Sequence, residues 1–228
     1  MSKPPVVFLH AAVCDSRMWR AQIAAIAGAI AYDRRGSGSA VAELMETVTE
    51  PAILVGCSAG GRIALDAALA HPGRVRGLVL IAPTVSGAPD PVQPPAIAAL
   101  LAEQQACTDP ERLNAIKARL WLDGPLAREG RVGGEPRRLF LEMNGGILRK
   151  PPAANTDTIA AYARLGEIAV PTLVIWGDLD FPHIQARSRH VAATIPGAKG
   201  HELAGAAHLP SLERPDEVTA VITAFIDR

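Results

Sequence analysis

Ile53-Leu54-Val55-Gly56-Cys57-Ser58-Ala59-Gly60-Gly61-Arg62-Ile63-Ala64-Leu65-Asp66 reads as an apolar strand, a Gly-x-Ser-x-Gly corner and an amphipathic helix. A chain that turns from strand to helix in so few residues strains the backbone of the corner residue, so the positions two before and two after it must be small. Gly56 and Gly60 stand there. The bare pentapeptide arises by chance in roughly one chain in a dozen of this length, given ordinary Gly and Ser usage, so its weight comes from the flanking strand and helix. A helix beginning at Ala59 aims its free backbone N–H groups at any oxygen reacting beside Ser58. Ser58 is therefore the candidate nucleophile.

With 228 residues, 49% of them hydrophobic, and a mean hydropathy of +0.16, the chain can bury one substantial core but is too short for two large domains. Lys plus Arg number 23 and Asp plus Glu number 23, which leaves no net field to attract phosphate backbones or anionic membranes. Neither nucleic acid nor a membrane is expected as a partner. Met1-Ser2-Lys3-Pro4-Pro5 runs straight into a short apolar strand, and no apolar run has the length of a membrane span or the form of a signal-peptide core. A cytoplasmic location is the expectation. Cys14, Cys57 and Cys107 cannot all pair and lack metal-ligand spacing, so reduced thiols and no metal site are expected. Cys57, beside Ser58, should point into the sheet as a structural residue.

Short apolar runs at Val6–His10, Ala29–Asp33, Ala52–Cys57, Val75–Ala82, Thr172–Trp176 and Lys199–Leu203 alternate with helical patterns. This predicts an α/β fold with about six mostly parallel strands and helices on both faces. Helices are expected at Ala59–Ala70, which precedes His71-Pro72-Gly73, and at Pro215–Ile226, with Asp216 and Glu217 in its first turn. The stretch between Ala82 and Thr172 is rich in Pro, Gly, Ala and Arg, with helical patterns near Pro95–Ala106, Pro110–Leu122, Pro136–Met143 and Thr156–Gly166. Periodic apolar positions such as Leu113, Ile116, Leu120 and Trp121 argue for a helical insertion rather than a disordered linker. Residues 1–85 and 168–228 would then form the core, and 86–167 a helical lid.

A serine hydroxyl is a weak nucleophile near neutral pH and needs a base, and that base needs a third group to orient it. Trp176-Gly177-Asp178-Leu179-Asp180 follows one buried-type strand, and Gly205-Ala206-Ala207-His208-Leu209-Pro210 follows the next. Both lie at carboxyl ends of strands, the edge where open α/β sheets bind ligands. The order Ser…Asp…His is that of the α/β-hydrolase arrangement.

The chain resembles the α/β-hydrolase superfamily, in particular its small carboxylesterases and enol-lactonases. Val7-Phe8-Leu9-His10 is similar to the family's first core strand and His-Gly turn, and Tyr32-Asp33-Arg34-Arg35-Gly36-Ser37-Gly38-Ser39 to its Asp-x-Arg-Gly-x-Gly-x-Ser loop. The resemblance implies Ser58 as nucleophile, His208 as base and Asp180, three residues after Gly177, as the orienting acid. Asp178 is the competing carboxylate, with turn capping as its other role. An oxyanion hole would use the backbone N–H groups of Ala59 and Ala12. Ala11 stands where the family has glycine after the histidine. If that position demanded a positive φ, alanine would cost about 1 kcal/mol, and Val13 would be a substitute donor. The family also carries two strands before the one at Val6, and longer helices after Met18 and Ser39. The fold expected here is thus a trimmed α/β-hydrolase fold, with Ala29–Asp33 as an exposed sheet edge that invites a homodimer.

His71, His190 and His201 read as structural, and His10 as bonded within its own turn. Asp33 and Arg34 should tie their loop by charge-assisted hydrogen bonds. Trp121, Phe140 and Met143 in the insertion, and His183 close behind Asp180, are the candidate substrate-binding residues, although packing or a surface position suits each as well. The function implied is a serine hydrolase acting on a small, largely apolar carboxylic ester or lactone through an acyl-enzyme, without cofactor. A C–C bond hydrolase or cofactor-free perhydrolase would share the triad. A non-catalytic small-ligand binding protein is the alternative from another class.

Overall fold

The computed structural model describes residues 3–151 and 154–228. Met1 and Ser2, and Pro152 and Ala153 within the expected insertion, lie outside the described residues. The strands are β1 (Val6–Leu9), β2 (Ile30–Ala31), β3 (Ser37–Gly38), β4 (Ala52–Cys57), β5 (Val75–Ile81), β6 (Ala154–Asn155), β7 (Thr172–Gly177) and β8 (Lys199–Leu203). Six of them form one sheet in the order β2-β1-β4-β5-β7-β8, and every pairing is parallel. The two-residue strands β3 and β6 pair with each other apart from it. The helices are α1 (Arg20–Ala25), α2 (Ala40–Thr47), α3 (Ala59–Ala70), α4 (Pro95–Ala106), α5 (Pro110–Ala118), α6 (Gly134–Leu148), α7 (Pro182–Thr194), α8 (Pro210–Glu213) and α9 (Pro215–Ile226).

Side chains alternate across the strands, and both faces are buried, which is why these strands read as unbroken apolar runs. Phe8, Val55, Cys57, Val79, Ile81 and Ile175 face one layer, together with Val218, Ile222 and Phe225 of α9. Val7, Leu9, Leu54, Leu78, Leu80 and Val174 face the other, together with Ile63 of α3 and Val191 of α7. The chain leaves β1 toward the β2 edge and returns on the other side at β4. That reversal puts the switch point of the sheet, the crevice where open α/β folds bind ligands, between the loop after β1 and the corner after β4.

The β4–α3 corner closes more tightly than any side chain would allow. A Cβ on Gly56 would lie 2.4 Å from the Gly60 carbonyl oxygen, and one on Gly60 would lie 2.1 Å from the Leu9 carbonyl oxygen. With both absent, α3 packs directly on β1, and Ser58 between them is held at φ 52°, ψ −113°. Ser58 and Ala82 are the two non-glycine residues with positive φ among those described. Ala11 is therefore not in the left-handed region. It is fully buried, and its turn closes through Cys14 N–H donating to the Ala11 carbonyl at 3.1 Å, so the expected strain at this alanine is absent.

Four local expectations are revised. The strand at Ala29–Asp33 shrinks to Ile30–Ala31, because Asp33 turns away to accept from the Ser16 N–H at 2.6 Å. The helix expected over Pro110–Leu122 ends at Ala118 and gives way to a wider π-type turn over Arg119–Asp123. The one near Pro136–Met143 extends over Gly134–Leu148. Thr156–Gly166 is not an α-helix: only Ala161–Glu167 coils, as a 3-10 turn. Its first residues are spent on contacts elsewhere, since Asp157 accepts from Ser39 Oγ and from the Ala40 and Val41 N–H groups at the start of α2, and β6 lies on β3. The helices after Met18 and Ser39 are short, at 6 and 8 residues.

Gly60→Ala should cost about 3 kcal/mol or more, as forced overpacking does, read as a Tm fall of roughly 10 °C; a Tm within about 2 °C of wild type would refute the close contact. Ala11→Gly should lower stability by about 1 kcal/mol through added backbone freedom. A rise in Tm instead would show that the alanine does strain its turn.

Candidate active site

Ser58 sits at the carboxyl end of β4, 8% exposed. Its N–H donates to the Ile81 carbonyl at 2.9 Å, and its carbonyl accepts from Thr84 N–H at 3.2 Å. These bonds lock the strained corner to β5. Cys57 lies beneath it, fully buried, and burial pushes its thiol well above the usual range. A thiol held protonated is a poor nucleophile.

Asp180 and His208 meet. His208 Nδ1 lies 2.8 Å from Asp180 Oδ2, with the residues 1% and 3% exposed respectively. The second carboxylate oxygen of Asp180 accepts from the Phe181 N–H at 2.7 Å, so the carboxylate is fixed at both oxygens. Asp178 is exposed and instead accepts from the Gly205 N–H at 2.6 Å, tying its turn to the loop that carries His208. The His208 carbonyl accepts from Cys57 Sγ at 3.7 Å, which brings the histidine loop against the end of β4. Among the described residues no hydrogen bond joins Ser58 Oγ to the imidazole, a bond that unliganded sites often form only with substrate in place.

Ala12 and Ala59 line one cavity of about 120 Å³, together with Arg34, Ser37, Arg62 and Ile63. His10, behind this cavity, does bond within its own turn: its Nδ1 lies 2.8 Å from the Ala11 carbonyl. Arg34 donates to the His10 carbonyl at 2.7 Å. Burial, reinforced by the Arg34 charge, lowers the His10 pKa to about 4, so this imidazole is neutral near pH 7 and serves as a hydrogen-bond donor to the loop.

Trp121, from the π-type turn, lies with its ring centroid 4.7 Å from those of both His208 and Phe181, tilted by 53° and 36°. Phe140 and Met143 are fully buried in the layer that holds Phe8, Met18 and Trp19, against which Trp121 also packs, and neither lines the cavity at Ala12 and Ala59. His183 is half-buried, edge-on to Phe181 at 5.4 Å and 3.3 Å from Gln93 Nε2. It lines a different cavity of about 230 Å³, with Tyr162, Arg187 and His190, and burial lowers its pKa. Among the described residues, no three His, Cys, Asp or Glu side chains converge as a metal site, and no helix is long and apolar enough to cross a membrane.

A group of charges that the sequence reading passed over stands behind His208. Glu213 is almost wholly buried and paired with Arg131 of the insertion, and Asp123 is paired with Arg137. The acidic residue five positions after His208, in an otherwise apolar turn, is the one signal the sequence carries for this group. Its partner, 82 positions away, carries none.

A model of the alpha/beta hydrolase family matches residues 6–221. A pimeloyl-[acyl-carrier protein] methyl ester esterase from Serratia marcescens is 30% identical over 187 residues, covering 75% of this chain and 69% of that protein. Among solved structures, a thermophilic esterase from Thermogutta terrifontis superposes with a TM-score of 0.76 at 25% identity, over 99% of this chain and 90% of that one. An enol-lactonase from Burkholderia xenovorans shares the fold, with a TM-score of 0.73 at 23% identity over 100% of this chain and 93% of that one. With a six-stranded parallel sheet whose switch point carries a strained serine corner, and with a family match through nearly its whole length, the chain belongs to the alpha/beta hydrolase family.

Proposed function

We propose that this protein is a serine hydrolase that cleaves a small, largely apolar carboxylic ester or lactone through an acyl-enzyme. The observation that carries the reading is the buried Asp180–His208 pair at 2.8 Å, in the loops after β7 and β8 of the sheet whose β4 corner holds a serine at φ 52°. Likeness to two esterases, at 30% and 25% identity, supports an ester as the substrate.

In this reading Ser58 Oγ attacks the ester carbonyl carbon while His208 Nε2 takes its proton. Nδ1–H of the imidazolium donates to Asp180 Oδ2, whose charge stabilises it. The N–H groups of Ala59 and Ala12 receive the oxyanion. Collapse of the tetrahedral adduct expels the alkoxide, which leaves as the alcohol with the proton from His208. Water then attacks the acyl-Ser58 ester, with His208 as base, and releases the acid. In a lactone, the leaving alcohol stays tethered to the acyl chain.

Residues 86–167 would act as a lid over this chemistry. Trp121 supports that role, since its ring covers His208 and would exclude water from the reacting face. Phe140 and Met143 would act through packing rather than by contact with substrate, and His183 lies to the side of the path.

Ser58→Ala should abolish turnover and fluorophosphonate labelling while the Tm is kept; ester hydrolysis within about tenfold of wild type would sink the assignment. Asp180→Asn should lower kcat on the order of 10⁴-fold, as a misoriented base does, and Asp178→Asn far less. The reverse ranking would transfer the acid role to Asp178. Trp121→Ala should change the butyrate-to-acetate ratio of kcat/KM by roughly fivefold or more. Phe140→Ala should instead cost about 3–5 kcal/mol of stability with that ratio unchanged. An unaltered ratio in Trp121→Ala would remove the tryptophan from the pocket.

A further inference from the structure

Arg131 and Glu213 link the insertion to the histidine loop through hydrogen bonds that no other pair among the described residues duplicates. Glu213 Oε1 and Oε2 accept from the Ala207 N–H at 3.0 and 3.2 Å, and Ala207 is the residue immediately before His208. Arg131 Nη2 donates to Glu213 Oε2. The same guanidinium donates to the Gly205 carbonyl at 3.0 Å on the histidine loop, and to the Leu122 and Asp123 carbonyls at 3.0 and 2.6 Å in the insertion. The turn it holds is the one that lays Trp121 on His208. Gly124 at its end, with φ +98°, comes so close that a Cβ would lie 2.5 Å from the Leu179 carbonyl oxygen and 3.4 Å from Ala207 Cβ. The insertion thus touches the acid loop and the base loop at one point.

Burying a carboxylate this deeply against a partly buried guanidinium is costly unless the lone pairs and N–H groups are used, and here almost all are. For stability alone, apolar residues of similar volume would serve as well. An ion pair with a fixed fork of donors, by contrast, sets orientation. Resting on the reading of His208 as the base, we infer that Glu213 is the positioning residue for that base, holding it through the Ala207 N–H, and that Arg131 makes this support depend on the docked insertion.

The charged and titratable groups around this region are Asp178 and Asp180 from the β7–α7 connection, His183 from α7, Cys57 from β4, Arg214 after α8, and Arg131 from the insertion, with Asp123 and Arg137 beside it. Asp180 already fills the Nδ1 side of the imidazole, so Glu213 acts on the loop backbone at Ala207. Burial holds the Glu213 carboxyl above its ordinary value, against the opposing pull of Arg131.

The test uses the full chain, with active sites counted by fluorophosphonate so that kcat refers to competent protein. Glu213→Gln keeps an acceptor for the Ala207 N–H and loses the charge; Glu213→Leu loses both. For Glu213→Gln, which still accepts from the Ala207 N–H, kcat should stay within about threefold of wild type. For Glu213→Leu, kcat should fall roughly ten- to a hundredfold, as a small misplacement does, with KM changed less than about twofold. Arg131→Lys should recover more kcat than Arg131→Met. If the single variants fold poorly, the double variant Arg131→Met/Glu213→Leu, which buries no unpaired charge, should show the same fall in kcat at nearly constant KM. A kcat per site within about twofold of wild type in the folded Glu213→Leu variant would reduce the pair to a structural role and overturn the inference. Wild-type protein that neither labels at Ser58 nor turns over esters would overturn the serine-hydrolase reading itself, a result distinguishable from the first because it appears without any substitution.

Discussion

Everything at the site depends on two missing Cβ atoms. Because nothing projects from positions 56 and 60, α3 can press its first turn against the backbone of β1, and the residue between must take a conformation that an ordinary residue avoids. The same contact sets the distance between the loop after β1 and the start of α3, so that Ala12 and Ala59 open onto one cavity. A serine hydroxyl and two candidate oxyanion donors are thereby arranged by backbone sterics, before any side-chain interaction is considered. The energy stored at Ser58 is offset by bonds from its own peptide groups to the segment around β5, which ties the strain to a central strand of the sheet.

The proposed acid and base are held differently, by electrostatics in a buried region. Asp180 and His208 are paired, and each has a further fixed contact. Groups that could compete with them are otherwise engaged. Cys57 remains a thiol, and His10 is committed to the Ala11 carbonyl. Among the described residues His208 is the imidazole paired with a buried carboxylate, although six histidines are present in the chain.

The large elements were legible because their signals are local. Six apolar runs reappear as six strands, and Ala59–Ala70, Pro95–Ala106 and Pro215–Ile226 occur as read, since burial on both faces and Pro at the helix starts leave plain marks in sequence. Asp180 and Asp178 differ in ways that only the fold reveals, one buried against His208 and the other exposed on a turn. The insertion was less legible. Asp157 would suit a helix start by composition, but its carboxylate caps α2 in another part of the chain, and the local pattern gives way to that distant bond. Phe140 and Met143 illustrate the same limit: periodicity marks them as inward-facing, yet which interior they face is settled by how α6 meets the sheet. The Arg131–Glu213 pair is longer-range still, and neither residue type is rare enough at its position to announce the other.

The division of these residues along the chain bears on how the protein comes into being on the ribosome. Ser58, Ala12 and Ala59 belong to the four strands made first, whereas Asp180 and His208 belong to the last two, on the far side of the insertion. At ordinary elongation rates those last strands emerge roughly five to twenty seconds later. Until then β5 lacks its neighbour β7, and the serine corner stands without acid or base. A nascent or truncated chain would therefore carry the strained serine in a chemically silent form, and hydrolytic competence would mark chains whose synthesis and docking are complete.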